Sequence, residues 1–399
     1  MTENQEYFHR KAGLSRRSLA KIAMGGAAAA TMLGNVRAAN AVANDSLSGT
    51  AGVKLIVSWN TNPTDDDLKF LNEIGYKYVY CPAREMMSVD DMLAVKKRYA
   101  DAGITLHDLR YFIGGKAEKP LIDMMLDLPG RAESMEVAKT WIRNTAKAGF
   151  DYTGGRLMNT GLWGSGDVDV RGGAMAREFD AASSAAHGEG GTGYGTPDYV
   201  KPAGGVNTLY YGRKYGYDEL MSNFRKYFVR EVVPILEENG VFMAFHPDDP
   251  PLIQSLGGVD RFLNNYSHIK NMFAAANSPN VGIQMCCGIW NEGGDLMGKD
   301  VLSALKEFWA LKKYREVHFR NVSSPPVNGV PHFHETFQDN GYYDMYKVMK
   351  TLVDIGYTGV VHFDHTPRMV GAPLTYPAYA AGFMHACLNR AMAEPKGTL

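Results

Sequence analysis

Eight times along this chain a short β-branched or aromatic run gives way to an amphipathic segment with apolar residues at helical spacing. The runs span residues 53–59, 76–82, 104–112, 150–158, 241–245, 281–285, 316–319 and 359–363. The helical patterns open on capping hydroxyls at Thr64 and Ser88 and stop at glycines such as Gly103, Gly149 and Gly240. This alternation predicts an α/β fold, a single (β/α)8 TIM barrel. The rival is an open doubly wound sheet. Its glycine-rich turn after strand one is absent, and Asn60-Thr61-Asn62-Pro63 stands there instead. One stretch interrupts the pattern. Residues 159–215, after strand four, are rich in Gly, Ser, Thr and Ala and read as a long loop insertion, the kind that covers a site or lacks fixed structure. Its glycines lack the Gly-Lys-Ser/Thr ending of a phosphate cradle.

In a parallel barrel the C-terminal strand ends share one rim, where residues distant in sequence meet. Strands five to eight lead into His246, Cys286, His318 and Asp364. Two imidazoles, a thiolate and a carboxylate make a ligand set for Mn, Fe, Co or Zn rather than Mg or Ca. Singly, each has a bland reading as a core histidine or a thiol acting as a small hydrophobe. Recurrence on four consecutive strands favours the metal. Cys287 is the rival thiolate, because the two-residue period of a strand lets only one of the pair point inward.

Charge is nearly balanced, with 42 Lys and Arg against 43 Asp and Glu, so there is no basic footprint for nucleic acid. Four cysteines are too few and too scattered for a disulfide framework. No run is long and apolar enough to suggest a transmembrane helix, so stable membrane insertion is not expected. The N-terminus reads as an address. Ser15-Arg16-Arg17-Ser18-Leu19 precedes a mild apolar run, and small residues then offer cleavage after Ala41 or Ala43. Residues 1–41 are therefore expected to be a twin-arginine (Tat) signal peptide and residues 42–399 one catalytic domain. The Tat translocase is the expected export partner, and the periplasm or beyond the destination.

FHPDDPP (245–251), CCG (286–288), VHFRNV (317–322), FHETFQDNG (333–341) and DHTP (364–367) together closely resemble the mannonate dehydratase family. Tyr210-Tyr211-Gly212, SPNVGIQMC (278–286) and NTAKAGF (144–150) add weaker support, and the resemblance extends from about residue 53 to the last helix. It implies a xylose-isomerase-like TIM barrel and a divalent metal, usually manganese. The implied reaction is dehydration of D-mannonate to 2-keto-3-deoxygluconate. It also implies a homo-oligomer, and a catalytic role for Tyr379.

That chemistry explains the residue types. The C2 proton of an aldonate is poorly acidic, so a base must take it while an acid protonates the departing C3 hydroxyl. A divalent ion stabilises the charge that develops between them. His365, beside Asp364, is the first choice for one proton transfer and Tyr379 for the other. Arg320 lies two positions beyond His318, on the same strand face, and is a candidate to grip the substrate carboxylate; a salt bridge to Asp248, Asp249 or Glu335 is the alternative. Asp248 and Asp249 are candidates to orient His246. Asp249, His334 and Glu335 are candidate substrate contacts, with Asp339 beside them. His107, Arg110 and Arg156 are further polar residues on strands three and four. Two departures from the family, Ser58-Trp59-Asn60-Thr61-Asn62 after strand one and Tyr111–Lys116 after strand three, put the substrate in question. A sugar isomerase or epimerase on the same barrel, and a non-catalytic sugar-acid binding protein, are the alternatives.

Overall fold

The computed structural model describes residues 52–112, 119–157, 162–181, 193–194 and 209–398. The leader assigned to residues 1–41 lies outside them, as does most of the segment 182–208 within the glycine-rich insertion.

Each expected run forms a strand. These are β1 (Lys54–Ser58), β2 (Tyr78–Pro82), β3 (Thr105–Arg110), β4 (Tyr152–Arg156), β5 (Phe242–His246), β6 (Val281–Ile283 continued by Met285–Cys286), β7 (Glu316–His318) and β8 (Val360–His362). All pairings among them are parallel. β1 lies between β8 and β2, β2 pairs with β3, and β7 bridges β6 and β8. β5 pairs with β4 and β6, and a parallel bridge between Phe112 and Gly155 joins β3 to β4. The circuit closes, which makes the sheet a barrel.

The outer helices follow from local chemistry. Thr64 and Ser88 each accept from the backbone N–H three residues on, and Asp67 and Asp91 accept back from the cap, so both helices start on a capping box. Asn265, Asp300 and Asp344 cap later helices in a similar way. The long pattern over 218–240 is not one regular helix. It runs as Tyr217–Asn223, a π-helical stretch Phe224–Val232, and Val233–Asn239. Pro234 cannot donate to the carbonyl four residues back, which accounts for a break in regular α bonding beside it.

The insertion after β4 departs from expectation. Part of it is a hairpin rather than a loop: Gly166–Asp169 pairs antiparallel with Met175–Asp180. Met175–Asp180 in turn pairs with His332–Thr336, and that strand with Asn321–Val322. The resulting four-stranded sheet follows β4 and β7 in sequence and so stands at the C-terminal end of the barrel.

Candidate metal centre and active site

Strand alternation sets which side chains face the barrel axis. On β5, β6 and β7 the inward set ends in His246, Cys286 and His318. Asp364 follows two residues beyond β8 with φ of +64°, a left-handed conformation that Asp tolerates better than most residues. The four donor atoms lie within 4.8 Å of one another. His246 must donate from Nδ1 to the Pro247 carbonyl at 2.7 Å, which leaves Nε2 as its lone-pair nitrogen. Burial lowers its pKa to about 3, and neighbouring His318 adds to the effect, so it is neutral and able to ligate. His318 has Nε2 3.1 Å from Glu316 Oε1, and its Nδ1 is buried with no hydrogen-bond partner. Burial alone would lower the His318 pKa. Asp364, Cys286 and Glu316 outweigh it and raise the value well above normal. Asp364 is held well below the usual carboxylate range: burial opposes this, and His365, His318 and Arg320 prevail. Of the two thiols, Cys286 belongs to the cluster. Cys287 opens the buried helix Cys287–Gly293, and burial pushes its pKa up. The set fits a divalent ion on two counts, an orphaned imidazole nitrogen aimed among three other donors and mixed N, S and O chemistry.

The cluster forms part of the wall of a cavity of about 250 Å³. Trp59, Tyr80, Arg110, Arg156, His365 and Tyr376 are among its other lining residues. His365 stands at its edge with Nδ1 2.8 Å from Glu335 Oε1 and Nε2 3.3 Å from Asp364 Oδ1. Glu335 therefore holds the ring by one nitrogen and leaves the other toward the donor cluster.

Several expected substrate contacts lie elsewhere. Arg320 is fully buried and surrounded by Glu292 at 2.7 Å, Glu335 at 2.8 Å, Asp364 at 3.2 Å and Asp249 at 3.3 Å. It is consumed as an internal counter-ion and is not available to grip a substrate carboxylate. Gly288 makes this possible, because a Cβ there would sit 2.1 Å from Arg320 Nε. Asp249 lines the cavity but accepts from Arg177 at 3.0 Å as well as pairing with Arg320. Glu335 likewise serves Arg177, Arg320 and His365 rather than a sugar hydroxyl. Strand alternation sends its neighbour His334 to the opposite face, where His334 pairs in register with Glu178. Asp248 accepts from the Leu263 backbone N–H at 2.7 Å and so holds a loop; the Pro247 carbonyl, not an aspartate, orients His246. Tyr379 is outside the cavity lining. Its hydroxyl accepts from Arg171 at 2.8 Å and its ring packs edge-on to Phe337. One helical turn earlier, Tyr376 is the tyrosine on the cavity wall.

Sequence reasoning missed Arg177, which comes from the hairpin, and Glu316. Glu316 had a legible signal: it and Gln284 are polar residues two positions before a donor, in otherwise apolar strands.

Fold and donor set together define a class, a (β/α)8-barrel enzyme with a candidate divalent-metal site at the C-terminal mouth. Residues 206–388 match the family model of D-mannonate dehydratase (UxuA). The mannonate dehydratase of Thermotoga neapolitana is 27% identical over 317 residues, covering 75% of this chain and 82% of that protein. Among solved structures, mannonate dehydratase from Streptococcus suis serotype 2 superposes with a TM-score of 0.69 at 22% identity, covering 86% of this chain and 94% of its own. A xylose isomerase domain protein from Planctomyces limnophilus gives 0.51 at 14% identity, covering 85% and 98%. These likenesses support membership of the mannonate dehydratase family, on a xylose-isomerase-like TIM barrel.

Proposed function

We propose that the protein is a metal-dependent hydro-lyase that dehydrates a sugar acid, converting D-mannonate to 2-keto-3-deoxy-D-gluconate and water. The observation that carries this reading is the His246, Cys286, His318 and Asp364 cluster in the wall of a cavity edged by His365. A divalent ion held there would supply Lewis acidity toward the substrate's carboxylate and hydroxyl oxygens. The chain supplies the proton transfers. One group takes the C2 proton, the other gives a proton to the C3 hydroxyl as it leaves as water, and the enol left behind becomes the 2-keto acid on protonation at C3. His365 suits one role, because Glu335 fixes its Nδ1 and leaves Nε2 toward the cluster. Tyr376 suits the other: burial raises its pKa, so it stays a protonated phenol on the cavity wall.

Manganese as the ion, export through the Tat translocase to the periplasm, and assembly as a homo-oligomer belong to the same proposal. Manganese and the oligomer rest on the family resemblance, export on the leader pattern in residues 1–41. The test is to assay the manganese-loaded full chain against a panel of aldonates, scoring release of a 2-keto-3-deoxy acid. Product from D-mannonate that disappears in His365→Ala is the expected result. Proton movement without loss of water would replace the dehydratase reading with an isomerase or epimerase.

A further inference from the structure

TIM barrels are ordinarily filled by branched aliphatic side chains. Here the layer beneath the donor cluster is polar, and it converges on one carboxylate. Glu316 is fully buried. Its Oε1 accepts from Arg110 Nη1 at 2.9 Å and lies 3.1 Å from His318 Nε2. Its Oε2 accepts from the Tyr152 hydroxyl at 2.7 Å and from Gln284 Nε2 at 2.9 Å. Arg110 is anchored in turn. Its Nε donates to Asp108 Oδ1 at 2.6 Å, and its guanidinium lies 3.4 Å from the Tyr80 ring centroid. Gly154 leaves room for the arrangement, since a Cβ there would meet Gln284 at 3.1 Å and Arg110 at 3.2 Å.

Buried ion pairs are often no more stabilising than apolar packing of the same volume, so stability alone does not account for this layer. What it achieves is geometric. Three donors hold the carboxylate still, and its fourth contact is His318 Nε2. With the proton on that nitrogen, the imidazole ring is fixed and its Nδ1 lone pair faces Cys286 and Asp364. An outer carboxylate of this kind orients a ligating histidine and raises its basicity.

We infer that Glu316 is the positioning residue for His318, and that the polar layer of the barrel thereby sets how tightly the donor cluster holds a divalent ion. The inference rests on the metal site of the proposed function, and cobalt(II) binding to the full chain tests it without any substrate. The unaltered protein should bind cobalt with a thiolate-to-cobalt charge-transfer band. Glu316→Gln should keep the band but raise the cobalt Kd about 10–100-fold. A merely structural role would lower the melting temperature and leave Kd unmoved, and that result in folded Glu316→Gln overturns the inference. If Glu316→Gln does not fold, Tyr152→Phe leaves the carboxylate in place with one anchor fewer. A several-fold rise in Kd then supports the inference, and an unchanged Kd overturns it. Failure of the unaltered chain to bind any cobalt would instead sink the metal reading itself, and this inference with it.

Discussion

The strand ends of β5 to β8 and the loops that follow them bound the same barrel mouth, yet they obey different rules. On the strands a two-residue period and a parallel register dictate which side chains converge, and His246, Cys286 and His318 do converge, with Asp364 just beyond β8. In the loops no period operates. Arg320, Glu335 and Asp249 fold into a buried ion network, while His334 and Tyr379 turn to other neighbours. Ligand-type residues are thus readable at strand ends, whereas substrate-contacting ones depend on packing that only the folded chain reveals.

The comparison can be broken most forcefully at the strand ends. Cys286→Ser and His318→Ala should each cost more than the roughly 10–100-fold in metal affinity that loss of an outer hydrogen-bonding partner costs, and turnover should fall with it. Equilibrium dialysis alongside the dehydration assay checks this. His365→Ala should lower kcat about 10²–10⁴-fold, the usual worth of a proton-transfer group, with metal content unchanged. The two tyrosines sharpen the contrast. Tyr376→Phe should cost at least about 10-fold in kcat. Tyr379→Phe, which only releases the partly exposed Arg171, should stay within a few-fold. Equal losses at both positions would mean that Tyr379 also reaches the substrate. His334→Ala should match the unaltered protein in kcat/KM.

A smaller effect concerns pH. Burial holds the His362 pKa at about 3, with His318 lowering it further, so the folded metal-free protein keeps this ring neutral. The unfolded chain protonates it near pH 6.5. Its contribution to stability is therefore present above about pH 6.5 and is lost as pH falls toward 3, by up to about 1.4 kcal/mol per pH unit. Denaturant unfolding of the metal-free protein at pH 7 and pH 5 should show the decline, and His362→Asn should flatten it.

Much of the architecture was legible because the helical and strand periods alternate eight times and the caps at Thr64 and Ser88 are local signals. The hairpin at 166–180 was not. Its short strands lie in a glycine-rich context and owe their pairing to His332–Thr336, more than 150 residues away in the chain. Arg177 stayed hidden for the same reason, since its value to the site comes from Asp249 and Glu335. The choice between Tyr379 and Tyr376 failed on helix phase: one turn decides which phenol faces the cavity, and resemblance does not specify that turn. Arg320 was assigned to the correct strand face but given the wrong partner, because four acidic neighbours converge on it from separate elements.

The central claim is that four strand-end donors form one metal site, with Cys286 as the thiolate. Cobalt(II) titration of the full chain and of Cys286→Ser and Cys287→Ser, followed through the thiolate-to-cobalt band, tests it most directly. The account predicts one cobalt per chain, loss of the band in Cys286→Ser and its retention in Cys287→Ser. A band that survives in Cys286→Ser, or vanishes only in Cys287→Ser, would contradict it.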